Sequence, residues 1–238
     1  MRLLVTRPEP EAKRTATILR AGGHEVLVAP LLCMQPIADA ALDDGPWAGL
    51  LVTSANAVRA IAEHPDRARL LHLPLLAVGR RSAEAARAAG FASVSSADGG
   101  AGDLAGLAAT AFSGAAAPVL YLAGEDRAVD LPALLAARGI AVRTIVVYRM
   151  IKAQAFPAQI TAALAAGRIE AVLHYSRRTA ETYVTCADAA GLRAAALASM
   201  HFCLSAEIAD ILRAAGAATV RVAARPEESA LLRLLASG

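Results

Sequence analysis

The stretch LLVTRPEPEAKRTATILRAGGHEVLVAP, residues 3–30, decides the fold. Residues 3–5 and 25–29 are short, mainly apolar runs that read as buried strands. Between them lies a charged, alanine-containing stretch that ends on Gly22 and Gly23, residues that suit a left-handed helix C-cap. A strand, a helix and a second strand in that order imply parallel pairing through a right-handed crossover. The pattern recurs along the chain. Further strands are expected at 50–52, 75–78, 119–122, 142–147, 171–173 and 202–204, with helix stops at Gly90, Gly139 and Gly216. The fold class is therefore α/β, with parallel sheets flanked by helices.

The two halves of the chain resemble each other. Residues 3–30 match VLYLAGEDRAVDLPALLAARGIAVRTIVVY (119–148). LLVTSANAVRAI (50–61) matches AVLHYSRRTAETY (171–183), and LAVGRRSAEAARAAGFASV (76–94) matches FCLSAEIADILRAAGAATV (202–220). Three blocks in the same order imply a duplicated βα unit and two similar domains. A solenoid needs more and shorter repeats.

Composition bounds the function. The 238 residues allow one large or two small domains. Hydrophobic residues make up 56% and charged residues 19%, enough for a sizeable core. Mean hydropathy is +0.46, but alanine dominates it and no apolar run is long enough to span a membrane. The start, MRLLVTRPEPE, meets charge after three apolar residues, so no signal peptide and a cytoplasmic location are expected. Net charge is +3, without a basic run, which argues against a dedicated nucleic-acid partner. The three cysteines (Cys33, Cys186, Cys203) lack CxxC spacing and read as reduced thiols. No apolar patch or heptad points to an oligomer, so a monomer is expected.

Six turns carry small polar or charged residues after strands. They are Thr6–Arg7, Thr53 to Asn56, Gly79 to Ser82, Gly124 to Arg127, Ser176 to Thr179 and Ser205 to Glu207. Each lies at the carboxyl end of a strand and the amino end of a helix, where open parallel sheets bind ligands. Free N–H groups and the positive dipole end suit anions there. Ser, Thr, Asp and Asn are also preferred N-caps, so any one turn taken alone reads first as an ordinary cap.

Familiar catalytic motifs are missing. No GxGxxG follows a strand, no P-loop lysine is present, and GxSxG and HExxH are absent. His201 and Cys203 share a strand face by spacing, but a metal site needs more ligands, so the pair reads as structural. No cofactor and no metal are implied.

Taken together, several segments resemble the uroporphyrinogen-III synthase family. They are Val5-Thr6-Arg7-Pro8, Thr53-Ser54-Ala55-Asn56-Ala57-Val58, Ala77-Val78-Gly79 with Ser82, and Tyr121-Leu122-Ala123-Gly124 through Arg127. Val147-Tyr148-Arg149, Leu204-Ser205 and the segment from Arg225 to Leu232 complete the set across nearly the whole chain. The resemblance implies two domains, flavodoxin-like or Rossmann-like, one of them discontinuous, joined by a two-stranded hinge. One comprises residues 1–35 with 152–238, the other 36–151. It implies a cofactor-independent enzyme, a cyclising hydro-lyase of haem (tetrapyrrole, porphyrin) biosynthesis. The substrate is hydroxymethylbilane, which closes with inversion of ring D to uroporphyrinogen III.

This substrate carries eight carboxylates, which fits helix N-termini and arginines as anchors. By the resemblance, Tyr148 is the catalytic residue, acting on the departing hydroxyl as an acid or by orienting it. The same tyrosine also reads as simple packing at a strand end. Substrate contacts are expected from Arg7, Thr53, Ser54, Asn56, Ser82, Arg127, Ser176 and Ser205. Partners are the small-molecule substrate and transient contacts with neighbouring pathway enzymes, with no membrane. The alternative is a two-domain, hinge-closing small-molecule binding or sensor protein, which shares the architecture and needs no catalytic motif.

Overall fold

Short aliphatic runs bounded by turn residues form the strands of two mainly parallel sheets in a computed structural model that describes residues 1–236. In chain order the strands are β1 (Arg2–Val5), β2 (Glu25–Val28), β3 (Leu32–Pro36), β4 (Gly49–Val52), β5 (Leu75–Ala77) and β6 (Val94–Ser96). They continue with β7 (Val119–Gly124), β8 (Val142–Lys152), β9 (Ala171–His174), β10 (Met200–Cys203) and β11 (Val220–Val222). The first sheet has the order β11-β10-β9-β1-β2, and all its pairs are parallel. The second has the order β3-β8-β7-β4-β5-β6, with parallel pairs from β8 through β6.

The sequence repeat and the sheets agree strand by strand. Each strand of the order β11-β10-β9-β1-β2 corresponds to one of β6-β5-β4-β7-β8. The βαβ segment of residues 3–30 thus extends the sheet of the C-terminal strands, and 119–148 extends that of the middle strands. Two compact units result, Met1–Cys33 with Ile151–Gly238 and Met34–Met150.

Each sheet buries both faces, as parallel sheets do. In the first unit Leu4, Val172 and Cys203 pack against helices Ala158–Ala165, Arg177–Ala189 and Ala206–Ala215. Leu3, Val5, Leu173 and Phe202 pack on the opposite face with Leu19 and Leu231. The second unit repeats the arrangement. Leu50, Val52 and Leu120 meet Val58 and Ile61 on one side, and Leu51, Val119 and Tyr121 meet Leu104 and Leu135 on the other. Each fully buried leucine contributes about 1.5–3 kcal/mol.

Three strands lie outside the sequence expectation, for identifiable reasons. Strands β6 and β11 have three residues each and sit at sheet edges, where burial is partial and no apolar run develops. Strand β3 reads LCMQP, whose proline argues against a strand except at an edge, and it is an edge strand. Strand β8 runs to Lys152, beyond the apolar 142–147, because Arg149 and Lys152 break the hydrophobic pattern without breaking the extended backbone.

The buried layer of the first unit holds a histidine pair. His174 Nε2 lies 3.1 Å from His201 Nδ1, and both side chains are fully buried. The outer nitrogen of His174, Nδ1, has no hydrogen-bond partner among the described residues. Tyr183 packs edge-on against both rings. Burial lowers His174 well below the usual 6.5, with the His201 charge adding to the effect, and lowers His201 to about 4. Burial also lifts the neighbouring Cys203 thiol to about 12, which keeps it protonated. The unfolded chain takes up protons on these histidines below about 6.5 while the folded unit does not, so stability falls as pH falls from there toward 4. Chemical denaturation at pH 7 and pH 5 is expected to show a loss of up to about 1.4 kcal/mol per pH unit for each histidine. A His174→Leu, His201→Leu double variant is expected to flatten that slope, and an unchanged slope contradicts the assignment.

Candidate active site

Strand order in the second sheet reverses between β4 and β7, so the connections from these strands leave in opposite directions and open a crevice at their carboxyl ends. A cavity of about 290 Å³ lies there, lined among others by Thr53, Ser54, Tyr121, Gly124, Arg127 and Tyr148. Thr53 and Ser54 follow β4 directly. Ser54 is extended and caps helix Ala55–Ala62, accepting the Asn56 N–H at 3.1 Å. Its hydroxyl proton remains available to a ligand. Thr53 Oγ1 lies 2.9 Å from the Tyr121 hydroxyl, which rises from the middle of β7. Burial raises the Tyr121 phenol above its usual value, a shift that the Thr53 hydrogen bond and the Arg127 charge only partly oppose.

Gly124 ends β7 and sets the position of Tyr148. A Cβ there meets Tyr148 Cζ at 2.6 Å and its hydroxyl at 2.7 Å, so only glycine lets the phenol lie over the strand end. The ladder between β7 and β8 is irregular at this point. Ala123 pairs with Val146 and Gly124 with Tyr148, which leaves Val147 extra. This bulge brings Tyr148 into the same cluster as Val147, although simple alternation puts neighbours on opposite faces. The Glu125 N–H donates to the Tyr148 carbonyl at 2.9 Å and ties the end of β7 to β8. Arg127 is exposed, and its Nη1 donates to the Gly124 carbonyl at 3.2 Å, which holds the guanidinium at the cavity mouth.

The corresponding point of the first sheet, between β1 and β9, is filled by the chain itself. Glu228 receives Arg7 Nη1 at 2.8 Å, Arg14 Nη2 at 3.0 Å and the Tyr175 hydroxyl at 3.2 Å, with Thr15 donating as well. Arg7 also stacks over the Tyr175 ring, 4.0 Å from its centroid. Burial works to raise the Glu228 carboxyl, but the Thr15 and Arg14 hydrogen bonds and the charges of Arg7 and Arg14 outweigh it and hold it low. Burial and the Glu228 charge push the Tyr175 phenol up to about 12.

The chain matches the family model for uroporphyrinogen-III synthase HemD over residues 13–233. It belongs to the uroporphyrinogen-III synthase family. Two crystal structures are similar to it in fold. Uroporphyrinogen-III synthetase from Helicobacter pylori is 19% identical, with 100% of this chain and 99% of that chain covered and a TM-score of 0.66. A mutant uroporphyrinogen III synthase from the extremely thermophilic bacterium Thermus thermophilus is 18% identical, with 100% and 98% covered and a TM-score of 0.50. No match was found among curated proteins.

The residues expected to serve the family reaction do not all lie together. Thr53, Ser54, Arg127 and Tyr148 line the one cavity. Asn56 stands one residue into the capped helix, its carbonyl taken by Arg59 Nη1 at 2.8 Å and its amide facing Met150 Sδ. Ser82 is buried in the first turn of helix Arg80–Ala88 and does not line the cavity. Ser176, in the first unit, caps helix Arg177–Ala189 by accepting the Thr179 N–H at 3.2 Å. Ser205 precedes helix Ala206–Ala215 without a side-chain cap bond. Arg7 is held by Glu228.

Sequence reasoning missed Tyr121 as a polar member of the site, and Gly124 as its spacer. A hydroxyl inside the otherwise aliphatic VLYLAG was the available signal. Gly124→Ala is expected to displace Tyr148 and lower the rate of type III isomer formation at least about tenfold, while the melting temperature changes by only a few degrees. Wild-type turnover in that variant contradicts the assignment.

Proposed function

We propose that the protein acts on hydroxymethylbilane as a cyclising hydro-lyase and that its chemistry takes place at the β4–β7 cavity. The observation that carries this reading is the convergence of Tyr148, Thr53, Ser54 and Arg127 on one crevice at the strand ends. A linear tetrapyrrole is larger than the cavity, so the crevice holds one end of it. Thr53, Ser54 and Arg127 offer hydrogen-bond donors and a positive charge to the carboxylates of that end. The N–H groups opening helix Ala55–Ala62 add to them. Asn56, Ser176 and Ser205 are proposed as further carboxylate contacts.

Tyr148 donates its phenolic O–H to the hydroxyl that leaves the hydroxymethyl carbon. As that C–O bond breaks, the oxygen gathers negative charge, and the hydrogen bond strengthens in the transition state. The cationic azafulvene that remains closes on ring D. Anchored carboxylates fix which carbon closes first, and this gives the inverted isomer instead of the direct one.

Fresh hydroxymethylbilane, with the type I and type III isomers separated by chromatography, tests the reading. Type III product well above the protein-free control is expected, and type I alone at the spontaneous rate refutes it. In the same assay Tyr148→Phe is expected to lower turnover at least about tenfold without unfolding, a loss of the size that general acid catalysis supplies. Single alanine variants at Thr53, Ser54 and Asn56 are expected to raise KM more than they lower kcat.

A further inference from the structure

We infer that Tyr121 is a positioning residue for substrate binding, acting through Thr53. This rests on the reaction proposed above. The Tyr121 hydroxyl and Thr53 Oγ1 share one hydrogen bond of 2.9 Å at the cavity wall. Geometry leaves its direction open, but exposure and chemistry settle it. Tyr121 is 2% exposed, whereas Thr53 is only half-buried and forms the open end of the pair. A phenol is a stronger hydrogen-bond donor and a weaker acceptor than an aliphatic hydroxyl, so Tyr121 donates to a lone pair of Thr53.

A threonine hydroxyl has one proton and two lone pairs. With a lone pair occupied by Tyr121, its proton is left for the cavity, and the incoming hydrogen bond polarises it. Thr53 becomes a fixed donor, which suits a carboxylate and disfavours a ligand that itself offers a donor. Without the phenol the threonine rotates freely and its proton has no set direction. Tyr121 thus sets the anion preference of the crevice without touching the reacting atoms.

The test is a double-mutant cycle on the full chain with hydroxymethylbilane, measuring KM and kcat for type III isomer formation. Tyr121→Phe removes one buried oxygen and is expected to raise KM about three- to tenfold, with kcat within about twofold of wild type. Thr53→Val is expected to raise KM at least as much. The Tyr121→Phe, Thr53→Val double variant is expected to match Thr53→Val alone, because the two groups act as one. Thr53→Ser, which keeps the hydroxyl, is expected to restore a near-wild-type KM. The two Thr53 variants approach the bond from its other end without touching the buried ring, and melting curves confirm that each variant is folded.

An unchanged KM in Tyr121→Phe, or additive effects in the double variant, overturns the inference while the wild-type chain still forms type III product. A wild-type chain that forms only type I product overturns the proposed reaction and this inference together.

Discussion

Parallel pairing makes every strand of a run end on the same edge of its sheet, and the helices that follow begin there. From this constraint come the polar turns, the free N–H groups and the crevice. Between β4 and β7 the strand order reverses, so the connections on either side part and leave an opening. The sequence places Thr53 and Ser54 on one bank and Gly124 to Arg127 on the other. The first sheet meets the same constraint between β1 and β9, with a different outcome. There Glu228 brings a carboxylate from the C-terminal helix and gathers Arg7, Arg14, Thr15 and Tyr175 around it. Two equivalent points on two similar sheets are thus one open and one closed by an internal anion.

The open crevice rests on one close approach. Tyr148 lies over the end of β7 because residue 124 has no side chain, and because a bulge in the β7–β8 ladder turns Tyr148 to the face of Val147. A regular ladder with any larger residue at 124 excludes the phenol from that place. The backbone therefore decides where the Tyr148 phenol stands, and the neighbouring Thr53–Tyr121 bond ties the end of β4 to β7 beside it.

The fold was largely legible in the sequence because its signals are local. Aliphatic runs gave the core strands, glycine stops separated the helices, and the internal repeat paired strands that the sheets then matched one to one. Gly23 and Gly139, equivalent in the repeat, both adopt the left-handed conformation, with φ of +81° and +73°. The edge strands β6 and β11 were not legible, since three residues, none of them fully buried, leave no pattern.

The site was legible only in part. Thr53 and Ser54 are marked by their place after a strand, and Tyr148 by its resemblance to a family motif. That Arg7 faces Glu228 depends on two segments 221 residues apart, and no local signal announces it. Tyr121 reads as core because its ring is core, and only its hydroxyl belongs to the crevice.

Amide hydrogen exchange of the whole chain, with and without the octacarboxylate product, shows whether the β4–β7 crevice receives carboxylates as proposed. Slowed exchange is expected to be confined, within the second unit, to the amides after β4, residues 53–58, and those after β7, residues 124–130. Protection in that unit found instead around Trp47, Arg69 and His72, which line a separate cavity, contradicts it.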